Sequence, residues 1–228
     1  MNKQKNIEEA IASIPSGATI MIGGFGSPGT PFCLIEEMLH QGQKNLILIK
    51  NDANETTLGI SKLIEAGQVD KLITSHIGLN KFVVDKMNQG ELEVVFFPQG
   101  ILAEKIRTAG AGSYGFLSDI GIDTEITDPS ELISWEGKML KIESALQADF
   151  ALIHASRADS FGNLIYHAGG MNFSPLMAMA AEHVIAETPK LLQPGELPPE
   201  QIHTPSAFIS AVVELPELTE DYKIREGR

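Results

Sequence analysis

Cysteine is almost missing from this 228-residue chain: Cys33 is the single copy. No disulfide can form within the chain, and a zinc site built on thiolates lacks its sulfur ligands. A reducing compartment fits, and the cytoplasm is the expected location. Cations are scarce too, with 17 Lys and Arg against 30 Asp and Glu and a formal net charge of −13. No cluster of Lys or Arg relieves that imbalance locally, which excludes a nucleic-acid backbone as partner. A small anion is not excluded, because backbone N–H groups and helix N-termini hold phosphate or carboxylate without net positive charge. No run approaches the ~18 apolar residues of a membrane-spanning helix, and the polar stretch 1–9 lacks the apolar centre of a signal peptide. His154, His167, His183 and His203 show no pairing with carboxylates on one helix face, so no metal site is expected.

What is present describes an ordinary globular protein: 43% hydrophobic and 21% charged residues, with a mean hydropathy of +0.01. Internal repeats and low-complexity linkers are absent, so residues 1–228 are expected to form one domain. Apolar residues at 7, 11 and 14 predict a helix over Asn6 to Ile14, stopped by Pro15-Ser16-Gly17. The run Ala18 to Ile22 predicts a buried strand. Thr30-Pro31 reads as N-cap and first residue of an amphipathic helix ending near Gly42. Strands at Leu46 to Lys50, Val69 to Thr74 and Leu92 to Phe97 then alternate with helices at Gly59 to Ala66, from Asn80, and at Gly100 to Thr108. This alternation predicts an α/β fold, an open and mainly parallel sheet flanked by helices. Ile133 to Trp135 and Leu140 to Ile142, around Glu136-Gly137, predict an inserted hairpin. Further strands are expected at Phe150 to His154, His183 to Ala186 and Phe208 to Val213.

In such sheets ligands bind beyond the carboxyl ends of the strands. Four consecutive strands here deliver glycine or polar residues to that edge: Gly23 to Gly29, Asn51-Asp52, Ser75-His76-Ile77-Gly78 and Pro98-Gln99-Gly100. The first group is dense in glycine, four in seven residues. Glycines there can serve only a tight turn, or they can let a ligand approach the backbone and accept its N–H donors. Gly24-Phe25-Gly26-Ser27-Pro28-Gly29 also satisfies the dinucleotide pattern G-x-G-x-x-G, with Asp52 placed 23 residues after its last glycine. Against that reading, Thr30-Pro31 start the helix after Gly29, and Pro28 occupies the phosphate-facing turn.

Residues Ser16-Gly17-Ala18-Thr19-Ile20-Met21-Ile22-Gly23-Gly24-Phe25-Gly26-Ser27-Pro28-Gly29-Thr30-Pro31 resemble the N-terminal motif of the class I CoA-transferases (3-oxoacid, acetate and butyrate), alpha subunit. Ser16 stands where that family usually has Asp or Asn. The likeness continues through the three later strand ends, Glu104 to Arg107, Ala148-Asp149, Ala158-Asp159, Gly162-Asn163-Leu164, Asn172-Phe173, Pro175 and Thr204-Pro205.

The resemblance implies CoA transfer between short carboxylic or 3-oxo acids by a ping-pong route, in which an enzyme glutamate attacks acyl-CoA and passes through an anhydride to a glutamyl-CoA thioester. It implies that Gly23, Gly24, Phe25, Gly26, Ser27, Pro28 and Gly29 contact CoA, which is substrate rather than a tightly bound cofactor. By the same resemblance Gln99 is the oxyanion donor, since its amide is a neutral donor at the ligand edge, and Asn51 helps to place the substrate. The nucleophile belongs to a Ser-Glu-x-Gly motif of the beta subunit. The nearest string here, Ser134-Trp135-Glu136-Gly137, has the wrong spacing and reads as a hairpin tip, while Glu143 reads as one half of a buried ion pair.

A beta-subunit partner in an α2β2 or larger hetero-oligomer is therefore expected. His76 is expected to be a hydrogen-bonded structural residue, and Cys33 to pack as a small hydrophobe despite its place at a helix N-terminus. Ala109, Tyr114 and Asp123 stand where glycine is usual in the family, which suggests a backbone penalty or a shifted loop. Met171 and Ser174 replace the usual Arg and Asn. These departures leave open a second reading, an acyl-CoA-binding chain without turnover.

Overall fold

The computed structural model describes residues 2–124, 127–215 and 217–222. A two-residue strand that the sequence does not announce, β1 (Gln4–Lys5), comes first; the first half then alternates as the sequence predicts: α1 (Ile7–Ala12), β2 (Thr19–Ile22), α2 (Phe32–Gln41), β3 (Leu46–Ile49), α3 (Ile60–Glu65), β4 (Val69–Thr74), α4 (Lys81–Asn88), β5 (Glu93–Phe96) and α5 (Gln99–Gly110). An excursion follows through β6 (Gly115–Ser118), β7 (Leu132–Trp135) and β8 (Lys138–Ser144). The chain then returns through β9 (Ala148–His154), β10 (Arg157–Asp159), β11 (Leu164–Ile165), α6 (Ser174–Ala180), β12 (Ala181–Thr188), β13 (Leu191–Leu192) and β14 (Ala211–Glu214).

Eight strands form one sheet in the order β1-β14-β12-β9-β2-β3-β4-β5, and every pair in it is parallel. Parallel strands are covered on both faces, so their sequences are apolar runs rather than alternations. Successive side chains still point to opposite faces. Ile20, Ile22, Leu48, Leu72 and Leu152 join the core under α1 to α4. Their neighbours Met21, Ile49, Ile73, Ala151 and Ile153 join the core under α5 and α6. Strand order runs outward in both directions from the β2–β9 pair, so chain order reverses there.

Helix starts show how local and distant groups share the capping. Asn6 accepts the Glu9 N–H at 2.7 Å and Asn80 the Val83 N–H at 3.1 Å, each an N-cap by side chain at the start of a helix the sequence predicts. At α2 the expectation is corrected by one residue: Pro31 is the cap position and Phe32 begins the helix. The Thr30 hydroxyl donates back to the Gly26 carbonyl at 2.7 Å. The buried Glu187 of β12 accepts the Leu34 N–H at 2.9 Å instead.

The inserted hairpin is present as β7 and β8, with Glu136 and Gly137 both at positive φ (49° and 78°), as a two-residue hairpin turn of matching twist requires. β6 adds a third strand that its short sequence did not announce. The expected backbone penalty at Ala109, Tyr114 and Asp123 does not arise. None of the three has positive φ, Ala109 being helical and buried and Tyr114 97% exposed. The last strand is shorter than expected, with Ser206–Phe208 forming a 3-10 turn before it. Among the described residues no helix is long and apolar enough to cross a membrane.

Glu143 is 3% exposed and accepts from Lys105 at 2.7 Å, with Lys141 Nζ at 3.3 Å, which ties the excursion to α5. Replacing one side of such a pair leaves an uncompensated buried charge. Glu143→Ala should therefore cost about 3–5 kcal/mol in a denaturant titration, whereas the double variant Lys105→Met with Glu143→Leu should recover much of that loss.

Candidate active-site cleft

The loop after β2 owes most of its glycine to the chain's own packing. An added Cβ would stand 2.8 Å from Ser174 Oγ at Gly23, 2.3 Å from Thr30 Oγ1 at Gly24 and 2.4 Å from the Gly170 carbonyl oxygen at Gly29. Gly26 alone of the four faces open space. Four of the loop's N–H donors are also engaged. Gly23 N–H donates to the Leu152 carbonyl at 2.9 Å, Gly24 N–H to Asn172 Oδ1 at 3.2 Å, and Phe25 N–H to the Pro28 carbonyl at 3.0 Å. Gly26 N–H donates to Asp52 Oδ2 at 2.7 Å. The N–H groups of Gly23, Gly24, Phe25 and Gly26 thus each have an acceptor within the chain.

Where chain order reverses, between β2 and β9, the crevice is crossed by the chain itself. Asn172 donates to the carbonyls of Pro28 and Gly169, both at 2.8 Å, besides accepting from Gly24. A cleft of about 360 Å³ beside it is lined by His154, Ser156, His167 and the Gly29 and Gly170 backbone. The larger cleft, about 470 Å³, opens over the ends of β2 to β5. Phe25 to Ser27 form one wall, Asn51 to Glu55 the floor, and Ser75, His76, Ile77 and Leu79 the opposite wall, with Gln99 at one end. All four strand ends singled out in the sequence thus meet in one cleft.

Gln99 is the first residue of α5, not a loop residue, and its exposed amide has no hydrogen-bond partner among the described residues. Asn51 is held fast: its Oδ1 accepts from Ser75 Oγ at 2.9 Å and its Nδ2 donates to Asp52 at 3.2 Å. His76 departs from expectation, because its exposed ring lines the cleft and makes no hydrogen bond among the described residues. Cys33 is buried as expected, and burial together with the nearby Glu187 carboxylate pushes its thiol up to about 12.

Two residues at the site escaped sequence reasoning. Lys50, at the end of the apolar run of β3, is fully buried with its ammonium 3.4 Å from Asp52 Oδ1 and 3.3 Å from the Gly26 carbonyl oxygen. Asn54 donates to the same carbonyl at 2.8 Å and lies at positive φ, 57°, a conformation Asn tolerates better than most residues. A lysine closing an apolar strand was the available signal. Burial alone would raise the Asp52 pKa, but Lys50 and the N–H groups of Gly26 and Asn54 outweigh it and hold the carboxyl below its ordinary 3.8.

Of the glutamates weighed as nucleophiles, Glu136 sits exposed at the hairpin tip and Glu143 is locked between two lysines; neither lines the cleft. A dinucleotide site is also contradicted, since the Asp52 carboxylate, which would have to meet a ribose, is bound to Gly26, and α2 starts three residues after Gly29. Among the described residues no group of three or more His, Cys, Asp or Glu could hold a metal ion.

The family model described as coenzyme A transferase matches residues 4–215. The chain is 45% identical over 212 residues to the probable coenzyme A transferase subunit alpha of Bacillus subtilis (strain 168), covering 92% of this chain and 93% of that protein. It is 42% identical over 211 residues to the acetate CoA-transferase subunit alpha of Escherichia coli (strain K12), covering 92% and 96%. A solved acyl-CoA transferase from E. coli O157:H7, in a thioester complex with CoA, has the same fold, with a TM-score of 0.83 at 24% identity over 96% of this chain. This chain spans 48% of that longer one.

Two stability tests follow from the loop. Gly26→Ala should cost about 1–2 kcal/mol, the left-handed backbone penalty alone. Gly29→Ala should cost more, because its Cβ also meets the Gly170 carbonyl; denaturant titration of both variants decides it. Asp52 has a folded-state pKa below its unfolded value, so its contribution is present above the unfolded value and fades as pH falls through the lowered one. The gap in stability between wild type and Asp52→Asn should narrow accordingly as pH drops below about 4.

Proposed function

The chain belongs to the coenzyme A transferase family, and from that premise we propose that it is the alpha-type subunit of an enzyme moving CoA between short-chain carboxylic or 3-oxo acids, its single domain supplying half of the site. The observation carrying this reading is a cleft with an unpartnered amide donor at one end and no glutamate of the expected nucleophile motif inside it. A beta-type subunit carrying a Ser-Glu-x-Gly motif closes the cleft and brings the nucleophile.

In this scheme the partner's glutamate carboxylate attacks the thioester carbonyl of acyl-CoA. The tetrahedral intermediate collapses by breaking the C–S bond, leaving a mixed anhydride and CoA thiolate. The thiolate attacks the glutamyl carbonyl, the anhydride C–O bond breaks, and the first acid leaves as its carboxylate. A second acid then runs the same steps in reverse and departs as its CoA thioester. Atoms and charge balance without any metal or redox partner.

Each addition places negative charge on a former carbonyl oxygen, and Gln99 supplies the neutral N–H donor aimed at it. The amide needs no proton loss to act, and its place on the first turn of α5 adds the favourable end of the helix dipole. Asn51, immobilised by Ser75 and Asp52, presents its second amide hydrogen from the floor of the cleft as a positioning group. The open face at Gly26, rather than the packed Gly23, Gly24 and Gly29, is where the loop from Gly23 to Gly29 meets the CoA moiety.

Gln99→Ala, assayed in the complex co-purified with its partner subunit, should lower kcat by about 10²–10³ with a small change in KM. An unchanged kcat would remove Gln99 from the oxyanion role. Mass spectrometry after incubation with acyl-CoA should find the CoA adduct on the partner and none on this chain; an adduct on Glu55, at the cleft floor, would reverse the division of labour. Failure of the intact complex to exchange CoA with acetate, butyrate or acetoacetate would favour acyl-CoA binding without turnover.

A further inference from the structure

Lys50 is a charged side chain where the fold asks for an apolar one. It follows Leu46–Ile49 at the end of a central parallel strand and is fully buried. Desolvating an ammonium costs several kcal/mol, which only close partners offset. Those partners converge on one residue of the loop. Lys50 lies 3.4 Å from Asp52 Oδ1 and 3.3 Å from the Gly26 carbonyl oxygen, while Asp52 Oδ2 takes the Gly26 N–H at 2.7 Å. Asn54 and Thr30 complete the carbonyl's shell at 2.8 Å and 2.7 Å.

This apparatus acts on a single position. At Gly23, Gly24 and Gly29 an added Cβ would meet Ser174, Thr30 and the Gly170 carbonyl, so those positions are packed against the chain and not open to the cleft. Gly26 has open space on its cleft side and positive φ, 60°, and a glycine so placed has a wide range of backbone conformations. Fixing its N–H and its carbonyl together selects one of them. The charges matter as well as the hydrogen bonds. Asp52 lines the cleft, and an uncompensated carboxylate there would oppose the oxyanion that acyl transfer creates. Lys50 directly behind it cancels that charge.

We propose that Lys50 and Asp52 are positioning residues for the acyl transfer: the buried pair holds the Gly26 backbone in its cleft-facing conformation and neutralises the carboxylate beneath the reacting carbonyl. The proposal rests on the transferase reading of the cleft. It assigns to the pair a role in rate, exerted through the loop and the local charge, and neither residue exchanges a proton with substrate.

The test uses Lys50→Met, Asp52→Asn and the double variant, each in the complex co-purified with the partner subunit. Two quantities are read: kcat and KM for CoA exchange, and amide hydrogen exchange across residues 23–30. Each single variant should lose about 10- to 100-fold in kcat, the scale of a misplaced reacting group, with faster amide exchange confined to that segment. The double variant should regain much of the loss, since no unpaired charge remains and the amide oxygen introduced by D52N still accepts the Gly26 N–H. Single variants that lower the melting temperature while keeping wild-type kcat and wild-type protection at 23–30 would overturn the proposal. Should the wild-type complex exchange CoA with no acid, the transferase reading fails by itself. Amide exchange then judges the clamp alone, and unchanged protection in Lys50→Met overturns it.

Discussion

At the carboxyl edge of a parallel sheet every strand ends in backbone groups that need partners, and in this chain the loop after β2 meets that need with side chains from distant segments. Asn172 takes the Gly24 N–H, Asp52 takes the Gly26 N–H, and Lys50, Asn54 and Thr30 donate to the Gly26 carbonyl. Each of these bonds contributes modestly, about 1 kcal/mol when neutral and more when charged. Their joint effect is to give a glycine-rich segment one conformation. The cleft over β2 to β5 exists because that loop stands off the strand ends instead of collapsing over them.

The same edge shows how a strongly acidic chain manages buried charge. Glu187, fully buried in β12, sits under the N-terminus of α2, where the helix dipole and the Leu34 N–H favour its negative charge. His154 Nδ1 lies 2.9 Å from it, and the Tyr222 hydroxyl donates to the same carboxylate. Burial and that carboxylate raise the Tyr222 phenol well above its ordinary range. Cys33, raised for the same reasons, is a packing residue and no nucleophile at neutral pH. Lys50 with Asp52, and Lys105 and Lys141 with Glu143, place buried ions within 4 Å of a counterion, whereas buried Asp159 is held by the N–H groups of Phe161 and Asn163 and by Asn163 Nδ2.

The strands of the main sheet were most legible where four apolar residues ran together between turn signals, as within Leu46–Ile49 and Ala148–His154. Two-residue strands such as β1, β11 and β13 carry no periodicity to detect, and they pair only because distant segments arrive beside them. Helix α6 is seven residues with Pro175 in its first turn, too short for an amphipathic pattern, and was not foreseen. The start of α2 lies one residue later than expected, and the Thr30 hydroxyl donates to the Gly26 carbonyl. His76, expected to be tied up in hydrogen bonds, instead presents its ring to the cleft.

The sequence by itself determined the parallel α/β architecture, the four strand ends that form the cleft, and membership of the CoA-transferase family carried by the motifs at those ends. These are properties of local patterns and of residue identity at short range. Tertiary structure alone decided which glycines of the loop face open space and which face the chain itself. It also decided that the N–H groups from Gly23 to Gly26 have acceptors within the chain, and that Lys50 lies beside Asp52 as its counterion. Those facts depend on atoms brought together from segments up to about 150 residues apart, as with Asn172 and Gly24. A composition of glycines states only that the backbone is free to move; the neighbours that remove that freedom arrive when the sheet closes over them.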